Sequence, residues 1–321
     1  MSARVLPAAD PSAIAEAAAA IRRGGVVAFP TETVYGLGAD AFNARAVARV
    51  FEVKARPSFD PLIVHLAEAG DLSRVAAADD ARALNLARRF WPGPLTLVLP
   101  RRPELPELVT SGLDTVGVRV PAHPAAHALL AAAGTPVAAP SANPFGYVSP
   151  TTAEHVAELL GPAVDLVLDG GACRVGVEST ILSLALDPPA ILRPGGVSRE
   201  ALEEALGVSL ATATRADRPL APGQLPRHYA TRTPLAILAG AAGPPPPGRV
   251  GLLAWRRAAE GYAAVEVLAP DGSPGTAAAN LFAALRRLDA RGLDLILAEP
   301  CAEAGLGLAI MDRLRRAAEP A

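Results

Sequence analysis

At 321 residues the chain is long for one compact domain, and its length favours two. Apolar residues make up 51% and charged residues 19%, ample material for buried cores. The formal net charge of −2 argues against a protein held to nucleic acid by bulk positive charge, though it leaves room for a local basic groove.

The first predicted element is a helix over Pro11–Arg23, with Asp10 as N-cap and proline at the first helical position. Gly24-Gly25 stops it, and a short apolar strand, Val26–Pro30, follows. The helix's alanine-rich run, Ala15–Ala20, like Ala76–Ala78, reads as compositional bias toward good helix formers and not as special packing. A second helix runs from Ala44 to Val53, and Pro57 and Pro61 forbid its continuation. Strand-like runs recur at Leu62–Leu66, Leu95–Leu99, Val116–Val120, Val137–Ala139, Leu166–Leu168 and Ser179–Leu184. Helical stretches around Ala81–Phe90, Pro124–Ala133 and Thr152–Leu160 lie among them, which implies an α/β sheet domain of unread strand order. Composition changes after Leu206. Prolines 219, 222, 226 and 234 mark an ordered or semi-rigid linker. Strands Leu235–Leu238, Val250–Ala254 and Leu293–Ala298 then alternate with helices Thr276–Arg291 and Ala309–Ala317, the pattern of a small parallel-sheet domain of about 90 residues. The expected organisation is a first domain over 1–208, a linker over 209–234 and a second domain over 235–321.

Cys173 and Cys301 have no CxxC spacing, so neither a zinc site nor a disulfide framework is indicated. No run approaches the roughly 18 apolar residues of a membrane span, and the N-terminus lacks the order of a secretory signal. A cytoplasmic protein is expected by elimination.

No phosphate-loop, serine-elbow or HExxH signature is present. Basic and hydroxyl residues at strand ends and turns remain: Lys54, Arg56, Thr115, Arg119, Ser141, Ser179 and Arg193. Pro57 holds Arg56 extended, so Lys54 and Arg56 can face the same side and suit a polyphosphate. The same residues suit a basic helix C-terminus favoured by the macrodipole. The turn Pro140–Pro144 can bind a ligand through Ser141 and Asn143 or only cap itself. Glu178 reads either as holder of a cation or substrate amine or as a surface carboxylate. His65 alternates with apolar residues, as a satisfied core histidine does. His123 and His127 have two-histidine metal spacing but no third ligand in register, so no metal site is expected.

Taken in order, the blocks GGVVAFPTETVYGLGADA, KARP, PLIVHL, FWPGPLTLVL, VGVRVPAHP, APSAN, VESTI and LRPGG resemble the YrdC-type domain of threonylcarbamoyl-AMP synthases. RHYA (Arg227–Ala230) and GLGLAIMDRLRRAA (Gly305–Ala318) are similar to the linker and the C-terminal end of the long family form. The resemblance implies a YrdC-like twisted mixed sheet, then a linker and a smaller Rossmann-like domain. It implies an enzyme that joins L-threonine, bicarbonate and ATP into threonylcarbamoyl-adenylate for tRNA modification, with release of pyrophosphate. By matched motif, Lys54 and Arg56 would be catalytic on the phosphate side. Asp60, Thr115, Ser141, Asn143, Ser149 and Arg193 would belong to the ATP site, with Tyr229 as part of a lid over the nucleotide. Thr33, His65, Arg119, Ala139 and Ser179 would surround threonine, with Arg119 facing its carboxylate. Magnesium would accompany ATP, held by phosphates and water and not by a protein cage. The expected partners are downstream proteins that transfer the threonylcarbamoyl group to tRNA, with weak RNA binding admitted.

Two departures stand out. Asp60 replaces the asparagine that this family commonly carries, so it either points away or helps place magnesium. The linker reads APGQLPRHYAT where SPG-x-x-x-RHYAP is more usual. Two other readings compete: an RNA-binding or ribosome-assembly factor, opposed by near-neutral charge and few aromatics, and a carbamoyl-transfer maturation protein, whose zinc-finger-like regions two cysteines cannot supply.

Overall fold

A computed structural model describes residues 3–77, 79–213 and 219–320. The expected linker therefore falls partly, and the alanine run at 76–78 by one residue, outside the described residues.

In the first domain the order is β1 (Val5–Pro7), α1 (Pro11–Arg22), β2 (Val27–Phe29), β3 (Gly36–Asp40), α2 (Ala44–Lys54) and β4 (Ile63–His65). Next come α3 (Ala81–Phe90), β5 (Leu95–Pro100), α4 (Glu107–Thr110), β6 (Thr115–Arg119), α5 (Pro124–Ala133), β7 (Val137–Ala138) and α6 (Ala153–Leu160). Strands β8 (Leu166–Asp169), β9 (Thr180–Ser183) and β10 (Ala190–Arg193), helix α7 (Arg199–Leu206) and strand β11 (Ala211–Thr212) complete it. Among the described residues these strands form one eleven-stranded mixed sheet, ordered β1-β8-β2-β3-β7-β4-β6-β5-β9-β10-β11. The second domain comprises β12 (Leu235–Ile237), β13 (Val250–Ala254), β14 (Ala264–Val267), α8 (Pro274–Asp289), β15 (Leu295–Ala298) and α9 (Leu306–Ala318). Its four strands are all parallel, in the order β12-β15-β13-β14.

Local chemistry sets the elements. Asp10 Oδ1 accepts from Ser12 N at 2.8 Å and caps α1 ahead of Pro11. The alanines of α1 are a correction to the compositional reading. Ala13, Ala17, Ala18 and Ala20 are buried in one cluster with Ala125, Ala126 and Ala133 of α5, so small side chains form part of this core. The sequence reading passed over β3, whose Gly-Leu-Gly has weak strand propensity. Gly38 there leaves no room for a Cβ, which would lie 2.7 Å from both the Phe29 ring and Val137.

The two domains share apolar material. Val34, Val148 and Val177 of the first pack in one cluster with Leu281, Phe282 and Ile310 of the second, and Tyr229 lies among them. At Gly176 (φ 73°) an added Cβ would sit 2.3 Å from the Ala278 carbonyl of α8, so only glycine allows this approach. No described helix is long and apolar enough to cross a membrane.

Candidate functional site

The mixed sheet brings distant segments to one cavity. Adjacent strands β4 and β6 deliver His65 and Arg119, which are paired in register. The turn after β7 brings Ala139, Pro140 and Ser141, and β9 and β10 bring Ser179 and Arg193 at their ends. The segment between β2 and β3 adds Thr31, Thr33 and Val34, and the chain after α2 adds Arg56. Over them runs a strap from the linker, with Pro222, Gly223, His228 and Tyr229 on the wall. The cavity is partly open, and the water-accessible space within it is about 50 Å³, room for a handful of water molecules.

Arg119 is buried; its Nη1 donates to Thr33 Oγ1 at 2.9 Å and its Nε to the Gly93 carbonyl at 3.1 Å. Its remaining nitrogen, Nη2, lies in ion contact with Glu32, which is equally buried. Glu32 Oε2 also accepts from Ala122 N at 3.0 Å. Arg119 is thus held in a fixed pose on the cavity lining. His65 stands edge-on to Phe29, at 6.0 Å between centroids. Burial, then the nearby Arg119 charge, pushes its pKa down to about 3, so the ring is neutral at physiological pH.

Two further arginines line the cavity. Arg56 donates to the backbone carbonyls of Asp60 (2.9 Å) and Pro61 (2.8 Å), and its guanidinium lies 2.9 Å from Asp60 Oδ2. Arg193 donates to Ser179 O at 3.0 Å and Ser179 Oγ at 3.1 Å, and to Pro222 O of the strap at 3.3 Å. Ser179 Oγ also shares a 2.8 Å hydrogen bond with Thr96.

Five residues expected at the nucleotide lie off this cavity. Lys54 is buried at the end of α2. Its ammonium donates to the carbonyls of Ser141 and Asn143 and faces Asn143 Oδ1 at 3.5 Å. Its three donors are thereby engaged in bracing the turn that presents Ser141, and it does not stand beside Arg56 on a shared face. Burial, then the Arg56 charge, pushes its pKa well below the ordinary lysine value. Asn143 is spent on the same turn, donating to Tyr147 O at 2.7 Å. Asp60 is fully buried in ion contact with Arg56 and is not among the residues lining the cavity. Ser149 donates to Glu178 Oε1 at 2.6 Å. Thr115 lines a smaller neighbouring cavity, which shares Ile63 and Pro222 with the first.

Glu178 is not a surface carboxylate. It is buried, and Arg313 Nε of α9 donates to its Oε2 at 2.8 Å. Burial pushes its pKa up, but Arg313, Arg193 and the Ser149 hydroxyl outweigh that and hold it below the usual carboxylate value. His123 Nδ1 accepts from Ala125 N and caps α5, while His127 meets the Ala67 carbonyl at 3.0 Å. Among the described residues no cluster of His, Cys, Asp and Glu could hold a metal ion.

Sequence reasoning missed Glu32, His228 and Arg313. Glu32 offered a signal, a lone carboxylate among hydroxyls between two apolar runs. Arg313 offered a clearer one: with Ile310, Leu314 and Ala317 it falls on the apolar stripe of α9.

Burial also makes a pH prediction. The His65 and His228 rings are depressed in the folded state, so the unfolded chain binds more protons. The stability this neutrality represents is whole above pH 6.5 and is lost as pH falls toward the folded values. Each buried ring should cost about 1.4 kcal/mol per pH unit below 6.5. Denaturant midpoints at pH 7, 6 and 5 check this; a flat series would show that the rings are not buried neutral.

Comparisons with known proteins agree with this fold. The family described as telomere recombination (Sua5, YciO, YrdC) matches residues 19–195, and the threonylcarbamoyl-AMP synthase C-terminal domain matches residues 197–319. A threonylcarbamoyl-AMP synthase of Bacillus subtilis is 45% identical, over 96% of this chain and 93% of its own. One from Pyrococcus abyssi is 44% identical, over 94% and 92%. The crystal structure of P. abyssi Sua5 complexed with L-threonine superposes with a TM-score of 0.91 at 42% identity, covering 96% of this chain and 95% of the other. Both domain models, near-full-length relatives and a shared two-domain architecture converge: the chain belongs to the threonylcarbamoyl-AMP synthase family.

Proposed function

We infer that the chain makes threonylcarbamoyl-adenylate and pyrophosphate from L-threonine, bicarbonate and ATP, for tRNA modification. The observation that carries this reading is one cavity lined by Thr33, His65 and Arg119 together with Arg56 and Arg193. Threonine's amine adds to the bicarbonate carbon, and loss of water leaves a carbamate. A carbamate oxygen then bonds to the α-phosphorus of ATP while the bond to the bridging oxygen breaks, releasing pyrophosphate. No side-chain nucleophile takes part. Catalysis comes from orienting two bound reactants and from stabilising phosphate charge by Arg56 and Arg193. Ser141, Ser179 and Ala139 also line the cavity, and Lys54 braces the Ser141 turn.

Magnesium enters with ATP as part of the substrate. The carboxylates around the site, Glu32, Asp60 and Glu178, each face an arginine and offer no cage for a cation. Pro222, Gly223, His228 and Tyr229 of the strap line the cavity, so the strap shifts as a nucleotide enters. Tyr229 fits a lid role: its hydroxyl is buried without a hydrogen-bond partner and lies on the cavity wall. On this reading the chain works in the cytoplasm, transfer proteins carry its product to tRNA, and any RNA contact of its own is weak.

Pyrophosphate release from ATP, measured with threonine and bicarbonate each supplied or withheld, should require both. Release that ignores threonine and every other amino acid would sink the substrate assignment.

A further inference from the structure

Helix α9 carries an arginine where its spacing calls for an apolar side chain. The Arg313 side chain is 0% exposed, so its charge has exchanged water for protein contacts. Its Nε donates to Glu178 at 2.8 Å and its Nη1 to Asp312 at 2.7 Å, and its guanidinium carbon lies 5.0 Å from the Tyr229 ring centroid. Glu178 and Tyr229 both line the cavity, one from the first domain and one from the strap. A single side chain of the second domain therefore grips two walls of the site. The same helix holds the strap again further on, where Arg316 Nη1 donates to Leu225 O and His228 N donates to Arg316 O. None of these contacts reaches Thr33, His65 or Arg119.

The arrangement has a charge consequence. Glu178 lies in the field of Arg193 as well as of Arg313. Without Arg313 the buried carboxylate keeps only the Ser149 hydroxyl and the pull of Arg193. Turning onto Arg193, it would neutralise a guanidinium aimed at phosphate.

Building on the ATP-dependent reading above, we propose that Arg313 is a positioning residue that sets the nucleotide side of the pocket from the second domain, through Glu178 and Tyr229, and leaves the threonine side to the first domain. The test is calorimetric binding of ATP and of L-threonine, separately, to full-length variants. Arg313→Met should weaken ATP binding by about tenfold or more and leave threonine within about threefold of the parent. Arg313→Lys, which keeps the charge and loses the fork, should weaken ATP by roughly three- to tenfold with threonine unchanged. Adding Glu178→Gln to Arg313→Met should recover most of the lost ATP affinity, because a neutral amide does not compete with phosphate for Arg193.

Parent-like ATP binding by Arg313→Met overturns the proposal. So does an equal loss of both ligands by a folded variant, or a double variant no better than the single one. If Arg313→Met does not fold, Arg313→Lys decides, and unchanged ATP affinity there overturns the proposal. Binding is read without turnover. A parent chain that binds ATP yet releases no pyrophosphate with threonine overturns the assigned reaction and leaves the Arg313 result standing.

Discussion

Replacing Arg56 by alanine should lower threonine-dependent pyrophosphate release by roughly 100-fold or more, the usual scale for removing a charge stabiliser from a reacting centre. The same change should destabilise the fold by about 3–5 kcal/mol, because it strands the fully buried Asp60 carboxylate. The two effects are separable. Arg56→Ala combined with Asp60→Asn removes the stranded charge and should regain most of the lost stability while remaining inactive. Thermal midpoints and pyrophosphate assays on both variants check this. A double variant that regained activity along with stability would show that Arg56 only neutralises Asp60.

Arg119→Gln should raise the KM for threonine by roughly 10- to 150-fold, the worth of one charge-assisted hydrogen bond of about 1.5–3 kcal/mol. Here too a buried carboxylate loses its partner, since Glu32 faces Arg119. Joint replacement, Glu32→Gln with Arg119→Gln, should restore stability and leave the threonine KM high. The ATP KM should move little in either variant. If threonine KM stays at the parent value, Arg119 is a scaffold for Glu32 and Thr33 and not a threonine contact.

These two arginines show how far the sequence reached. Arg119 was legible because it ends a strand and opens a proline-bounded turn, a place where a scaffold presents side chains. The Glu32 partner was not, since the two lie far apart in the chain and meet only through the β-sheet. Lys54 and Arg56 illustrate a different limit. Their spacing of two suggested one shared face, but Ala55 takes a left-handed conformation (φ 50°) and the helix ends between them. One cation is thereby sent into the Asn143 turn and the other to the cavity. Asp60 could be flagged as a departure from pattern, yet only packing shows it turned onto Arg56. The alternation of strands and helices in the second domain read correctly because parallel, buried strands make continuous apolar runs. Strand β14 (Ala264–Val267), half-buried throughout, gave no such run and escaped notice.

The valines that the first domain contributes to the second domain's core set a limit on how the protein can be dissected. Val34, Val148 and Val177 are covered by Phe282 and its neighbours, and Gly176 touches the α8 backbone. An excised first domain would carry these side chains into water as one greasy patch, beside a glycine loop deprived of its buttress. Such a fragment should express poorly or self-associate, and light scattering beside the full-length chain would report it. Low activity in that fragment would then measure colloidal behaviour before it measured chemistry.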